Sequence, residues 1–336
     1  MKSSTPNSKS ILTVAESLLD SACHFTLRTE TAPFAGGEYI IYSLESESKA
    51  RSICLRIPRA ATNPHVGFLV AQEAGIRRRI DAAGIPLFQP LLSADPTADN
   101  ILKTPYLALG WAAGKPLIWN DTSPACQSDR QTVLHAVANV SLDLLQIQEL
   151  GETALNWITC KINRKIVRAK ANTLPGGTVA ECEDQKNLVA EYWIPELDAA
   201  PHVLVHGDLS GNNIIVADDD TFAVKSIIDL GWAELVPFQF AAVYPRFLTH
   251  EPDGGGALGF ASRDTKQMRE DRTFYLKCIL ARATREGGIA LDYYRVLGRE
   301  DEPSRYWWFT AASQIGIHKA MVSCGWAPFN TTKNQK

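Results

Sequence analysis

Apolar positions change their period several times along the chain. Between residues 11 and 22, Ile11, Val14, Leu18 and Leu19 share one side of a helical repeat, which predicts a short helix. Residues 1–10 and 331–336 are polar and read as solvated tails. The period then shortens. Residues 38–44 (EYIIYSL) and 52–57 (SICLRI) read as two strands, with the polar run ESESKA as the turn between them. Residues 66–82 return to a helical pattern, ended by Gly84-Ile85-Pro86. Residues 105–109 (PYLAL) read as another short strand, and the Gly- and Pro-containing connector GWAAGKPL follows.

The clearest helix is residues 131–149, where Val133, Val137, Val140, Leu144 and Ile147 step by four and three into an apolar stripe. A second helical stretch spans about 157–171, and the polar, Gly-containing residues 172–186 read as a loop. Residues 203–205, 213–216 and 224–228 are short β-prone runs. Beyond Pro245 the chain reads as helices separated by a Gly-rich loop at 253–259. Strands first and helices later predict an α+β protein in two unequal lobes. The division placed on the sequence is an N-terminal lobe at 1–109, a connector at 110–116 and a helical lobe at 117–336.

Composition narrows the classes. With 336 residues, 45% of them apolar and 21% charged, the chain suits a globular protein of two lobes. A formal net charge of -3 gives no basic footprint for nucleic acid. Seven dispersed cysteines without a C-x-x-C pair argue against a disulfide framework or a zinc site and for a reducing compartment. The polar N-terminus and the absence of a membrane-length apolar run make the cytoplasm, with no membrane partner, the expectation. Oligomeric state is not legible.

The chemistry concentrates in VLVHGDLSGNNIIV at 203–216 and SIIDLG at 226–231. A β-prone run leads into His206-Gly207-Asp208, Ser210-Gly211 turns the chain, and Asn213 opens the next run. Asp229 ends an apolar run sixteen positions later. Turn chemistry alone accounts for any one of these residues. Together they predict three oxygen-bearing side chains at the mouth of adjacent short strands. Magnesium takes hard oxygen ligands and keeps several waters, so Asn213 and Asp229 are the candidate metal ligands. Asp208 is then the candidate acceptor of the attacking hydroxyl's hydrogen bond. His206 reads as a hydrogen-bonded structural partner in the same catalytic loop.

The pattern His206-x-Asp208-Leu209-x-x-x-Asn213, with Asp229 after an apolar strand, resembles the catalytic loop and metal Asp of kinases. With Gly after His, it is similar to the aminoglycoside phosphotransferase and choline kinase-like family rather than to protein kinases. The resemblance covers about residues 30 to 330. It implies a two-lobed protein-kinase-like α+β fold, ATP and Mg2+ as cofactors, and a small-molecule acceptor. Gly36 and Gly37 resemble the start of the phosphate-covering hairpin. Arg56 stands where the family has a strand Lys or Arg reaching the phosphates, and Glu73 where a helix acid pairs with it. Leu107 to Trp111, with Leu109 and Trp111 as the candidate contacts, resembles the segment that meets adenine through backbone groups. Ser210 is a candidate contact to phosphate or substrate, although a small residue in this loop also has a steric explanation. The chain departs from the family in lacking G-x-G-x-x-G and in carrying Gly231 where a second acid is common, with Glu234 out of register.

The competing readings of individual residues are structural. Glu73 and Arg77 form an i,i+4 pair, and Arg77-Arg78-Arg79 reads as a solvated face. Arg56 lies within an apolar strand, where a charge needs a buried partner or a ligand. Trp307, Trp308 and Trp326 read as packing aromatics. Trp232, Arg246, His250, Glu251, Asp253, Glu270 and Asp271 are candidate acceptor contacts. The expected activity is ATP-dependent phosphoryl transfer to a hydroxyl of an amine, sugar or natural product. Two alternatives stay open on the sequence: a kinase scaffold recruited for cyclisation or condensation, and a pseudokinase binding module.

Overall fold

Alternation of side chains along two paired strands organises the first part of the molecule. The structure, a computed structural model, describes residues 6–48, 51–59, 65–219, 221–249, 252, 264–299 and 302–326. Its strands are β1 (Cys23–Phe25), β2 (Phe34–Ala35), β3 (Tyr39–Ser46), β4 (Ser52–Pro58), β5 (Leu91–Asp95), β6 (Tyr106–Gly110), β7 (Lys115–Pro116), β8 (Gln148–Glu149), β9 (His202–Val205), β10 (Ile214–Val216), β11 (Val224–Ile227) and β12 (Glu234–Pro237). The first helices are α1 (Ser8–Leu19), α2 (Val66–Ala82), α3 (Gln127–Leu144), α4 (Ala154–Lys170) and α5 (Val179–Asn187).

The chain divides into two compact units. The first comprises Met1–Pro116, Asn213–Asp220 and Val224–Ala233. Its main sheet runs β1-β3-β4-β6-β5, with β2 also on β3, and all its pairings are antiparallel. In β4, Ile53, Leu55 and Ile57 pack with Ile11, Val14, Ala15 and Leu19 of α1. The alternate residue Cys54 packs on the other face with Val70 and Ala74 of α2 and with Leu107 and Leu109 of β6. A period of two thus places Arg56 on the α2 side. A smaller sheet, β11-β10-β7, completes the unit.

The second unit comprises Leu117–Asn212, Thr221–Ala223 and Glu234–Lys336. It contains the sheet β12-β9-β8, helices α3 to α5 and the helices Lys266–Glu286, Gly288–Leu297, Glu302–Ala311 and Ile315–Ser323. Trp307 and Trp308 are buried in it. No helix among the described residues is long and apolar enough to cross a membrane.

Several expected bounds shift. The N-terminal polar stretch yields at Ser8, because the Asn7 carboxamide oxygen accepts from Ser10 N at 2.8 Å and caps α1. Strand β3 takes in Glu45 and Ser46, so the turn is shorter than ESESKA; its residues 49–50 lie outside the described set. Helix α2 spans the expected 66–82; Gly84, at φ 65°, lets Ile85 N reach Ile80 O and close the end. Helix α3 stops at Leu144, three residues before the apolar stripe ends at Ile147. The expected loop at 172–186 contains most of α5, started by a reciprocal capping box between Thr178 and Glu181. The Gly-rich segment 253–259 and residues 331–336 lie outside the described residues.

Candidate functional site

In the first unit, β10 and β11 form an antiparallel pair in which Ile214 faces Ile227. Ile228 N donates to Asn213 O at 2.9 Å, extending the ladder one step past the strands. The short runs holding Asn213 and Asp229 therefore reach the same end of one hairpin. Asn213 is buried at 9% exposure, whereas the Asp229 carboxyl is 45% exposed. Asp229 has φ 63°, an unusual backbone state for a residue other than glycine. A side-chain carbon at Gly231 would stand 3.4 Å from Asp229 Oδ1 and 3.9 Å from Glu38 Oε2, so glycine keeps room beside that carboxylate.

One carboxylate and one amide oxygen suit Mg2+, which completes its shell with water and phosphate oxygens. Among the described residues no group of three or more His, Cys, Asp or Glu could hold a metal. The donor chemistry of Asn213 and Asp229 fits a phosphate-shared magnesium rather than a metal caged by protein alone.

Arg56 reaches the same place from β4. Its Nη1 lies 2.7 Å from Glu73 Oε1 and its Nη2 2.8 Å from Asp229 Oδ1. The guanidinium carbon sits 4.3 Å from the centre of the Tyr39 ring. Burial, with Glu73 second, pushes the Tyr39 hydroxyl up to about 12. Glu73 also receives Arg77, whose Nε and Nη2 lie 3.0 and 2.7 Å from the same Oε1. Both expected partners of Glu73, Arg56 and Arg77, therefore meet it in one buried network. Arg77 is 1% exposed, which corrects its assignment to a solvated face; Arg78 and Arg79 remain exposed. Arg77 follows Glu73 by four positions of helix, so both lie on the face of α2 that meets the sheet.

Asp208 belongs to the second unit. Strand β9, which leads to it, pairs with β8 and β12, while β10 pairs with β7 and β11. The runs flanking the loop thus join different sheets, a correction to their expected adjacency. Between them Gly207 takes φ 78° and Ser210 N donates to Asp208 O at 2.9 Å. His206 is buried, and its Nδ1 accepts from Asp208 N at 3.3 Å. Asp208 Oδ1 lies 2.8 Å from Arg246 Nη1.

The remaining candidates for nucleotide contact lie on the first unit, apart from Ser210. Gly36 and Gly37 form the exposed tip between β2 and β3; Gly36 O accepts from Arg59 Nη1 at 2.9 Å. Neither glycine has positive φ, and a side-chain carbon at Gly37 would meet nothing within 4 Å. Leu109 is in the core. Trp111 stacks on the exposed Phe34, ring centres 6.2 Å apart. Backbone groups beside them already have partners: Gly110 N donates to Pro90 O, Trp111 N to Ser52 O, and Gly110 O accepts from Gln89 Nε2.

The acceptor candidates separate. Asp271 is fully buried and paired with Arg130, which removes it from any acceptor-facing role. Glu270 pairs with Lys266 on the surface, and Trp232 is 56% exposed. His250, Glu251 and Asp253 lie outside the described residues. Glu234 pairs with Lys161 at 3.3 Å, and that ammonium sits 3.8 Å from the Trp157 ring centre. Sequence reading gave Lys161 no role, because a helical lysine carries no local signal of a partner 73 positions away.

The sequence profile described as the phosphotransferase enzyme family matches residues 36–240. No curated protein matches the chain. Among solved structures, the ethanolamine kinase of Plasmodium vivax is similar at 13% identity and TM-score 0.51, over 93% of this chain and 82% of that one. An ADP-bound aminoglycoside phosphotransferase, APH(2'')-Ib, is similar at 11% identity and TM-score 0.50, over 93% of this chain and 98% of that one. Those likenesses show a kinase-like α+β fold. The profile match spans more than half the chain, and the protein belongs to the phosphotransferase enzyme family.

Proposed function

We propose that the protein transfers the γ-phosphoryl group of ATP to a hydroxyl of a small molecule, on an amine, a sugar or a natural product. The observation that carries this reading is the hairpin end that presents Asn213 and Asp229 together, with Arg56 tied to both Asp229 and Glu73. Family membership supports phosphotransfer as the reaction class. Asn213 and Asp229 would hold Mg2+, which when bound neutralises phosphate charge. Arg56 would meet the phosphates through its guanidinium, and Gly36, Gly37, Leu109, Trp111 and Ser210 remain the proposed nucleotide contacts.

Asp208 would accept the hydrogen bond of the acceptor hydroxyl. The acceptor oxygen forms a bond to the γ-phosphorus as the bond from that phosphorus to the β,γ-bridging oxygen breaks. ADP leaves with that oxygen, and the hydroxyl proton passes to Asp208 and then to solvent. Positioning and charge neutralisation supply most of the acceleration in such a transfer. His206 sets the loop through the Asp208 backbone N–H and takes no proton from the acceptor.

The test is ATP consumption with a metabolite extract, followed by mass spectrometry for an added phosphate. Asp208→Asn should lower turnover by about 10²- to 10⁴-fold while nucleotide binding persists. Near-normal turnover in that variant would remove the base assignment. A native protein that converts extract components without consuming ATP would favour cyclisation or condensation on the same scaffold.

A further inference from the structure

The contact between Arg246 and Asp208 is a partly exposed ion pair within the second unit. Its side chains are 37% and 22% exposed, with Nη1 2.8 Å from Oδ1. Exposed pairs of this kind contribute little to stability, typically below ~1 kcal/mol. Yet the backbone that carries Arg246 is held at consecutive residues. It opens a short turn, Arg246–Leu248, directly after Pro245. Phe247 packs edge-on against Trp119, ring centres 5.0 Å apart. Trp119 in turn lies under the guanidinium of the buried Arg130, 4.2 Å from its ring centre. Leu248 is fully buried, and its carbonyl accepts from Arg272 Nη1 at 3.1 Å. Thr249 Oγ1 donates to Arg246 O at 3.1 Å. The partly buried Phe247, the buried Leu248 and two hydrogen bonds therefore fix the base of a side chain whose tip meets the Asp208 carboxylate.

We propose that Arg246 is a positioning residue for Asp208, and not an acceptor contact. A guanidinium on Oδ1 fixes the rotation of the carboxyl plane about its Cβ–Cγ bond. An ionised carboxylate offers about four acceptor positions, so the same group can hold Arg246 and accept from a hydroxyl. Backbone and side chain of Asp208 are then set from two sides: His206 Nδ1 takes its N–H, and Arg246 takes its Oδ1. The inference rests on the reading of Asp208 as the base.

The experiment measures phosphate transfer from radiolabelled Mg·ATP into a metabolite extract, varying ATP and extract separately. Arg246→Met should lower the maximal rate by about 10²-fold, the scale of a misplaced catalytic group. Half-saturation by ATP and by extract should stay within about twofold, and the melting temperature should hold, as for a surface change. Arg246→Lys should recover part of the rate, and guanidinium ion added to Arg246→Met should recover part of it as well. A rate restored simply by more extract would overturn the inference, since Arg246 would then be an acceptor contact. An unchanged maximal rate would overturn it too. Asp208→Asn, run alongside, separates the two claims. If it lowers transfer and Arg246→Met leaves the maximal rate unchanged, only the positioning role fails. If it keeps transfer, or if the native protein transfers nothing, the base reading fails and takes this inference with it.

Discussion

Arg56 joins Asp229 to Glu73 through one guanidinium, with Nη2 2.8 Å from the first and Nη1 2.7 Å from the second. Glu73 is also held by Arg77, so two buried cations share one buried carboxylate. Removing one partner of a buried pair costs about 3–5 kcal/mol. Arg56→Met should destabilise the protein on that scale in urea unfolding. Combining it with Glu73→Gln should cost less than the two single changes added, because the same interaction would be counted twice. Strict additivity would mean that the three groups do not act as a network.

Asp271 separates structural from acceptor roles. It is fully buried, with both carboxylate oxygens engaged by Arg130. Asp271→Ala should destabilise by about 3–5 kcal/mol, read as a drop in the denaturation midpoint. At a temperature where the variant stays folded, half-saturation by ATP should match the native value. A variant of native stability would contradict the burial argument.

The Lys165 ammonium lies in the interior of the second unit, 2.7 Å from His318 Nδ1, 2.9 Å from Gln185 Oε1 and 2.8 Å from Ala311 O. Burial lowers Lys165 to about 8. Burial, with the Lys165 charge second, lowers His318 to about 4 from its ordinary 6.5. Below its ordinary value the unfolded chain takes a proton that the folded His318 refuses. Stability is therefore lost as pH falls from 6.5 toward 4, by at most about 3 kcal/mol. For Lys165 the unfolded chain keeps its proton up to its ordinary 10.5, so its contribution rises as pH climbs from about 8. Urea midpoints across the acidic window should fall more steeply for the native protein than for His318→Gln. Equal slopes would contradict this account.

Thr178 tests a local signal. Its hydroxyl accepts from Glu181 N at 3.2 Å, and the Glu181 carboxylate accepts from Thr178 N at 2.7 Å. Thr178→Ala should cost about 1 kcal/mol in global unfolding, and Thr178→Ser should cost little. A larger loss for serine than for alanine would rule out capping as the cause.

Periodicity revealed the elements long enough to repeat it. Strands β3 and β4 and helix α2 show this, since apolar residues on alternate or helical positions fill two distinct cores around one sheet. Strands β2, β7 and β8 are two residues long, too short to carry any period. Composition misled at α5, where a capping box and the buried Cys182 and Gln185 outweigh a polar segment. The shared placement of Asn213 and Asp229 at one hairpin end was legible, because turn chemistry and strand ends coincide there. Partners distant in sequence were not. The i,i+4 spacing of Glu73 and Arg77 is the same on a wet or a buried face, so only packing reveals that both are inside.

Calorimetric titration of the native protein with ATP, with and without Mg2+, tests the central assignment most directly. The account predicts binding that strengthens with Mg2+ and loses that dependence in Asp229→Asn. No heat at millimolar ATP, or an affinity that ignores both the metal and the carboxylate, would contradict it.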